Sequence, residues 1–159
     1  MMQSYHRSIT LISVVLAALL AGSAAYAQTK EKAEPSLYER LGGVYNIAAV
    51  VDDFIERLLV NDTLNANPAI DESRKRISKA GLKFQVTALV CQATGGPEKY
   101  AGRTMKDSHV HLNITESEWQ AMAADFKKTL DKFEVPEKEQ SELIALVEST
   151  KPDIVISKE

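Results

Sequence analysis

The chain has 159 residues, 45% of them hydrophobic, and 19 basic against 22 acidic side chains leave a formal net charge of −3. So slight an acidic excess gives no electrostatic reason to bind nucleic acid or an anionic membrane surface. Cys91 is the lone cysteine, so no intramolecular disulfide staples the fold, and stability must come from packing or from a bound group.

The first residues have the form of a secretory signal peptide. Arg7 is the only charged residue before position 28, Ile9 to Leu20 is almost wholly apolar, and Ala25-Tyr26-Ala27 offers small residues at a cleavage point. The apolar run is shorter than the ~20 residues a membrane-spanning helix needs, which favours cleavage over anchoring. A periplasmic or secreted protein without a membrane attachment after cleavage is expected. Taking 27 residues from 159 leaves 132, enough for one domain, and loss of Arg7 moves the net charge from −3 to −4. Residues 28–35, polar and closed by Pro35, read as a flexible tether.

Ser36-Leu37-Tyr38-Glu39 has the Ser-x-x-Glu form of a capping box and opens a very short helix that Gly42-Gly43 closes. From Val44 to Val60, Ile47, Val50, Val51, Phe54, Ile55 and Leu58 recur at helical spacing and predict an amphipathic helix. Three asparagines, two aspartates and Pro68 between Asn61 and Asp71 predict turns without a regular element. A second long helix is expected from about Ser73 to Ala93, with Gly81 moving its effective start toward Leu82. Thr94-Gly95-Gly96-Pro97 ends it, and a short helix follows around Thr104 to His111. A second capping box, Thr115 to Glu118, opens a helix to about Phe133. Val135-Pro136 breaks it, and a last helix runs from Pro136 toward Pro152. No stretch alternates like a half-buried strand, so the domain is expected to be all-helical.

Only His6, His109 and His111 are present. His109, on its short helix behind a glycine-punctuated loop, is either a nitrogen ligand for a transition metal or haem iron, or a plain surface histidine. His111 lies two positions on, about 200° around a helix, and so is expected to face solvent or the edge of any bound group, with an exchange of roles with His109 as the alternative. Cys91 reads as a small buried apolar residue, with thiolate ligation as the alternative.

Several segments taken together carry a resemblance: Leu37-Tyr38-Glu39-Arg40-Leu41-Gly42-Gly43, Val51-Asp52-Asp53-Phe54, Gly95-Gly96-Pro97, Gly102-Arg103-Thr104-Met105 ahead of His109, Leu112-Asn113-Ile114-Thr115, and the Val135-Pro136 break. In this order they resemble the group I truncated haemoglobins, over about Ser36 to Pro152. The resemblance implies a truncated globin-like two-over-two helical sandwich over residues 36–159. It also implies a haem b, with His109 as the proximal iron ligand. No Cys-x-x-Cys-His is present, so the haem is expected to be held non-covalently.

Across the ring this chain departs from the family. Group I members commonly carry tyrosine after the phenylalanine matched by Phe54, and polar residues on the helix before the middle glycine pair. Here Ile55 stands at the first position, and counting back from Gly95 places Leu82 and Val86 at the others, with Leu89 a turn further on. The expected cofactor contacts are therefore Phe54, Ile55, Leu82, Val86, Leu89, Met105 and Ile114, with Phe54 and Trp119 set more toward the surrounding core. Haem propionates need cations or hydroxyls, and the candidates are Lys79, Lys83, Tyr100 and Arg103. Such a wall predicts faster O2 exchange than in Tyr/Gln-bearing members unless Gln85, Gln92 or a moved side chain donates. The expected function is reversible binding of diatomic gases (O2, NO, CO) for sensing, scavenging or delivery. The second reading is a haem enzyme for NO detoxification, peroxidase or nitrite-reductase chemistry, served by an electron-donor protein.

Overall fold

Short side chains at helix starts decide where the chain turns helical. The computed structural model describes residues 34–156. The expected signal peptide over residues 1–27 and nearly all of the tether over 28–35 fall outside them, as do residues 157–159. The described residues form nine helices, α1 to α9: Leu37–Arg40, Gly43–Val60, Asp62–Asn65, Pro68–Arg74, Lys79–Ala93, Met105–His109, Glu116–Lys132, Glu137–Glu148 and Lys151–Ile154. Both predicted capping boxes form. The Ser36 and Thr115 hydroxyls accept from the backbone N–H three residues on, while Glu39 and Glu118 bond back to the cap.

Three expectations are corrected. Residues 61–71 are not turns alone: the Asn61 side chain accepts from Leu64 N–H and the Asn67 side chain from Ala69 N–H, so these asparagines start α3 and α4. The long helix expected from Ser73 is broken, because α4 stops at Arg74 and Ser78 caps a new start at Lys79. Pro152 does not end the last helix, which stops at Glu148. It sits in the first turn of α9, where a missing N–H costs nothing.

The longest helix, α2, lies at the centre of the packing, with its most extensive contacts to α5 and then to α7. One core cluster joins Leu37, Phe126, Leu130 and Leu143 from α1, α7 and α8. Another joins Ile47, Val51 and Ile55 of α2 to Cys91 of α5, with Leu82 and Val86 packed against it. Each fully buried aliphatic side chain contributes roughly 1.5–3 kcal/mol. Phe54 touches both clusters and meets Phe126 edge-on, ring centres 5.2 Å apart. The last described residues close back on the α6–α7 connection: Ile156 N–H donates to Ile114 O at 3.0 Å beside an isolated parallel bridge between Ile114 and Val155.

Polar bonds tie α2 to α7. Asp53 accepts from Lys132, from Arg57 Nε at 2.8 Å and from Thr129 Oγ1 at 3.0 Å. Lys132 foremost, then Arg57 and Thr129, outweigh burial and hold its carboxyl down at about 2, against its usual 3.8. A lowered folded value means stability that is present above pH 3.8 and lost as the pH falls toward 2. The difference corresponds to about 2 kcal/mol. Urea melts are expected to show Asp53→Asn destabilised by about that amount at pH 7. The gap between variant and wild type should close between pH 4 and 2, and a gap that persists at low pH would sink this account.

Candidate functional site

Helix α6 is only five residues long and is held by its flanks. Thr104 caps it through Asp107 N–H at 3.0 Å, and the preceding loop is braced by Tyr100, whose hydroxyl donates to Arg103 O at 2.8 Å. The Tyr100 ring lies directly over Gly102, where any Cβ would collide with it. A larger residue there would displace the Tyr100 ring and its bond to Arg103 O. On the far side, Leu112 N–H donates to His109 O at 2.8 Å, and Asn67 Nδ2 donates to Leu112 O at 3.0 Å. These bonds fix the direction of the imidazole that α6 carries.

His109 Nδ1 lies 2.8 Å from Met105 O, one turn back on α6. A carbonyl only accepts, so in the neutral ring Nδ1 carries the proton and Nε2 keeps a bare lone pair. Burial pushes the imidazole below its ordinary value, outweighing the Met105 carbonyl, and His111 adds to the effect. The result is a neutral, oriented nitrogen base. Among the described residues no group of three or more His, Cys, Asp or Glu is arranged to hold a metal ion, so His109 could serve only as a single ligand beside donors from a prosthetic group.

It faces a cavity of about 1200 Å³, larger than the roughly 300–1,000 Å³ of most ligand pockets. Phe54 and Ile55 of α2 line it, as do Leu82, Val86 and Leu89 of α5, and Met105, Ile114 and Trp119. All the expected apolar contacts are thus brought to one space. Ile55 is only 3% exposed, wedged among Ile47, Val51 and Cys91, so the wall at that point is closely packed hydrocarbon. Cys91 itself is wholly buried, and burial first, with Glu98 adding, pushes its thiol up to about 11. That suits the apolar reading and not a thiolate.

The predicted cations divide. Lys79, Tyr100 and Arg103 line the cavity; Lys83 does not, and pairs with Asp52 and Glu56 on the α2–α5 surface. Lys79 pairs with Glu56 at 2.9 Å. The spacing that marked both lysines equally says nothing of the α2 acids they meet. Arg103 lines the cavity with no side-chain bond to any described residue. Arg76, which sequence reasoning passed over, does the same. It lies in the break between α4 and α5, in a segment whose register was not legible. His111 also lines the cavity; α6 ends at His109, so helical geometry does not govern the position of His111.

Residues 36–155 match the family described as bacterial-like globin. The chain is 32% identical over 116 residues to the group 1 truncated hemoglobin GlbN of Synechocystis sp., covering 70% of this chain and 88% of that protein. With GlbN of Mycolicibacterium paratuberculosis it shares 30% identity over 124 residues, 77% of this chain and 87% of that one. Among solved structures, it resembles the 2/2 hemoglobin from Synechococcus sp. PCC 7002, which carries covalently attached heme, with a TM-score of 0.67 at 24% identity. That alignment covers 76% of this chain and 98% of the other. The Fe(III) truncated hemoglobin of Tetrahymena pyriformis aligns with a TM-score of 0.64, 77% of this chain against all of that one, also at 24% identity. At these identities the two structures establish the fold: the truncated 2/2 helical sandwich expected from the sequence.

Proposed function

Because the chain belongs to the bacterial-like globin family, we propose that it is a haem protein that reversibly binds small diatomic gases, with His109 Nε2 as the proximal ligand. The observation that carries this is the bare, oriented imidazole nitrogen at the wall of a large apolar cavity. The residues present suit a haem. Hydrocarbon from α2 and α5 would lie along one face of the ring, Met105 and Ile114 would contact the other, and Arg103 and Arg76 would meet the propionates. When bound, the haem supplies an iron with a coordination position open to a diatomic ligand.

The chain's own contribution is positional. The Met105 carbonyl holds the His109 ring in the tautomer that presents Nε2, as backbone carbonyls and carboxylates do for histidines that bind metals. The wall offers no phenol at position 55. Such a wall supports weaker retention of O2, which gains from a donor, with less effect on NO and CO. Dioxygenation of NO needs O2 to be held until NO arrives, so the wall favours binding over that enzyme reading. The leader-like N-terminus supports action after export, to a periplasm or outside the cell; a mature chain starting at Gln28 in the exported fraction is the check.

Absorption spectra of the purified protein in ferric, ferrous and CO-bound forms test the proposal, and absence of a Soret band would refute it. Haem transfer to a competing apoglobin tests the rim. Arg103→Ala is expected to speed haem loss several-fold, since a charge-assisted bond contributes ~1.5–3 kcal/mol and solvent weakens it at an exposed site. Lys83→Ala, whose partners are Asp52 and Glu56, is expected to leave the transfer rate unchanged.

A further inference from the structure

The wall built by α2 and α5 is not wholly apolar. Asn46 of α2 and Lys79 and Gln85 of α5 bring N–H donors to the cavity. Asn46 is exposed at the start of α2, packed on Gly42, and Lys79 is paired with Glu56. Gln85 differs from both. It is half-buried, its side-chain amide bonds to none of the described residues, and it shares a face with Leu82, Val86 and Leu89 at helical spacing. Gln92, the other glutamine of α5, does not line the cavity and is exposed, with its Oε1 accepting from Tyr100 N–H at 3.0 Å.

The amide atoms of Gln85 are not sealed in the packing, so this half-buried residue on the cavity wall keeps its donor free for a molecule bound in the cavity. Its three rotatable bonds let it swing into the cavity, where no other uncharged, unbonded side-chain donor of α5 reaches. Resting on the globin reading, we infer that Gln85 is the ligand-selecting residue of this site: its amide N–H donates to the diatomic ligand, in place of donors at positions 55, 82 and 86. A neutral amide favours ligands that draw negative charge onto their outer atom, such as O2, over CO, but holds them less firmly than a phenol and an amide together.

The test uses the haem-loaded chain and its Gln85→Leu, Gln85→Met and Gln92→Leu variants. Both Gln85 variants are expected to raise the C–O stretching frequency of the CO form and to speed O2 release about three- to ten-fold. Gln92→Leu should change neither. Met matches the unbranched shape of Gln, so it reports even if the branched Leu fails to fold. An intact Soret band with both readouts unmoved in the Gln85 variants, or moved equally by Gln92→Leu, overturns the role of Gln85 alone. Absence of a Soret band in the wild-type protein overturns the globin reading beneath it.

Discussion

His109→Ala is expected to abolish the Soret band of the purified protein while leaving its helical circular dichroism intact. The two readouts separate because His109 serves the cavity and not the core. Neither core cluster includes it, and alanine is the best helix former for the end of α6. Loss of a residue that merely orients a metal ligand costs about 10–100-fold in metal affinity, so loss of the ligand itself should cost more. Added imidazole should restore part of the band, since the cavity that truncation enlarges admits the free base. His111→Ala is the control. Its ring lines the same cavity but has no carbonyl brace like that of Met105, and the variant should keep its haem. A band that survives His109→Ala and disappears in His111→Ala would exchange their roles.

The helix starts and the short helix that carries His109 were largely legible in the sequence because they depended on local features. Capping boxes at Ser36 and Thr115 mark helix starts with side chains three residues apart, and both form as read. His109 stood out because few histidines exist and its loop is punctuated by glycine. What failed were several inferences that needed to distinguish two uses of one residue type. Asparagine favours a turn or caps a helix by the same acceptor geometry, and at Asn61 and Asn67 the caps won. Ile77 and Leu82 continued an apolar period through a break that one hydroxyl, Ser78, creates. Lys79 and Lys83 lie one turn apart on α5, and only the register of α2 against α5 decides that Lys83 meets Asp52 and Glu56 away from the cavity. Arg76 was hidden for the same reason: its place follows from the bend between α4 and α5, which no periodicity records.

The aliphatic residue at position 55 sets the other large effect, and Ile55→Tyr reads it directly. In the packed cluster of Ile47, Val51 and Cys91 a phenol has no room, so the ring must turn into the adjoining cavity. The strain should cost about 1–3 kcal/mol and lower the Tm by several degrees. There the hydroxyl would stand on the wall shared with Leu82 and Val86, placed to donate to a bound ligand. A bond to a partly charged acceptor contributes ~1.5–3 kcal/mol, which corresponds to O2 release slowed by about 10- to 100-fold. CO release should move far less, because CO draws little charge onto its outer atom. Ile55→Phe carries the same bulk without the hydroxyl and is expected to lose stability equally while leaving O2 release near the wild-type rate. If Phe slows O2 as much as Tyr, the wall acts by obstruction and hydrogen bonding at position 55 is irrelevant. If Tyr slows it and Phe does not, the hydrocarbon at that position is what keeps gas exchange fast. The remaining control over the ligand then lies with Gln85, one turn along the same face from Leu82 and Leu89.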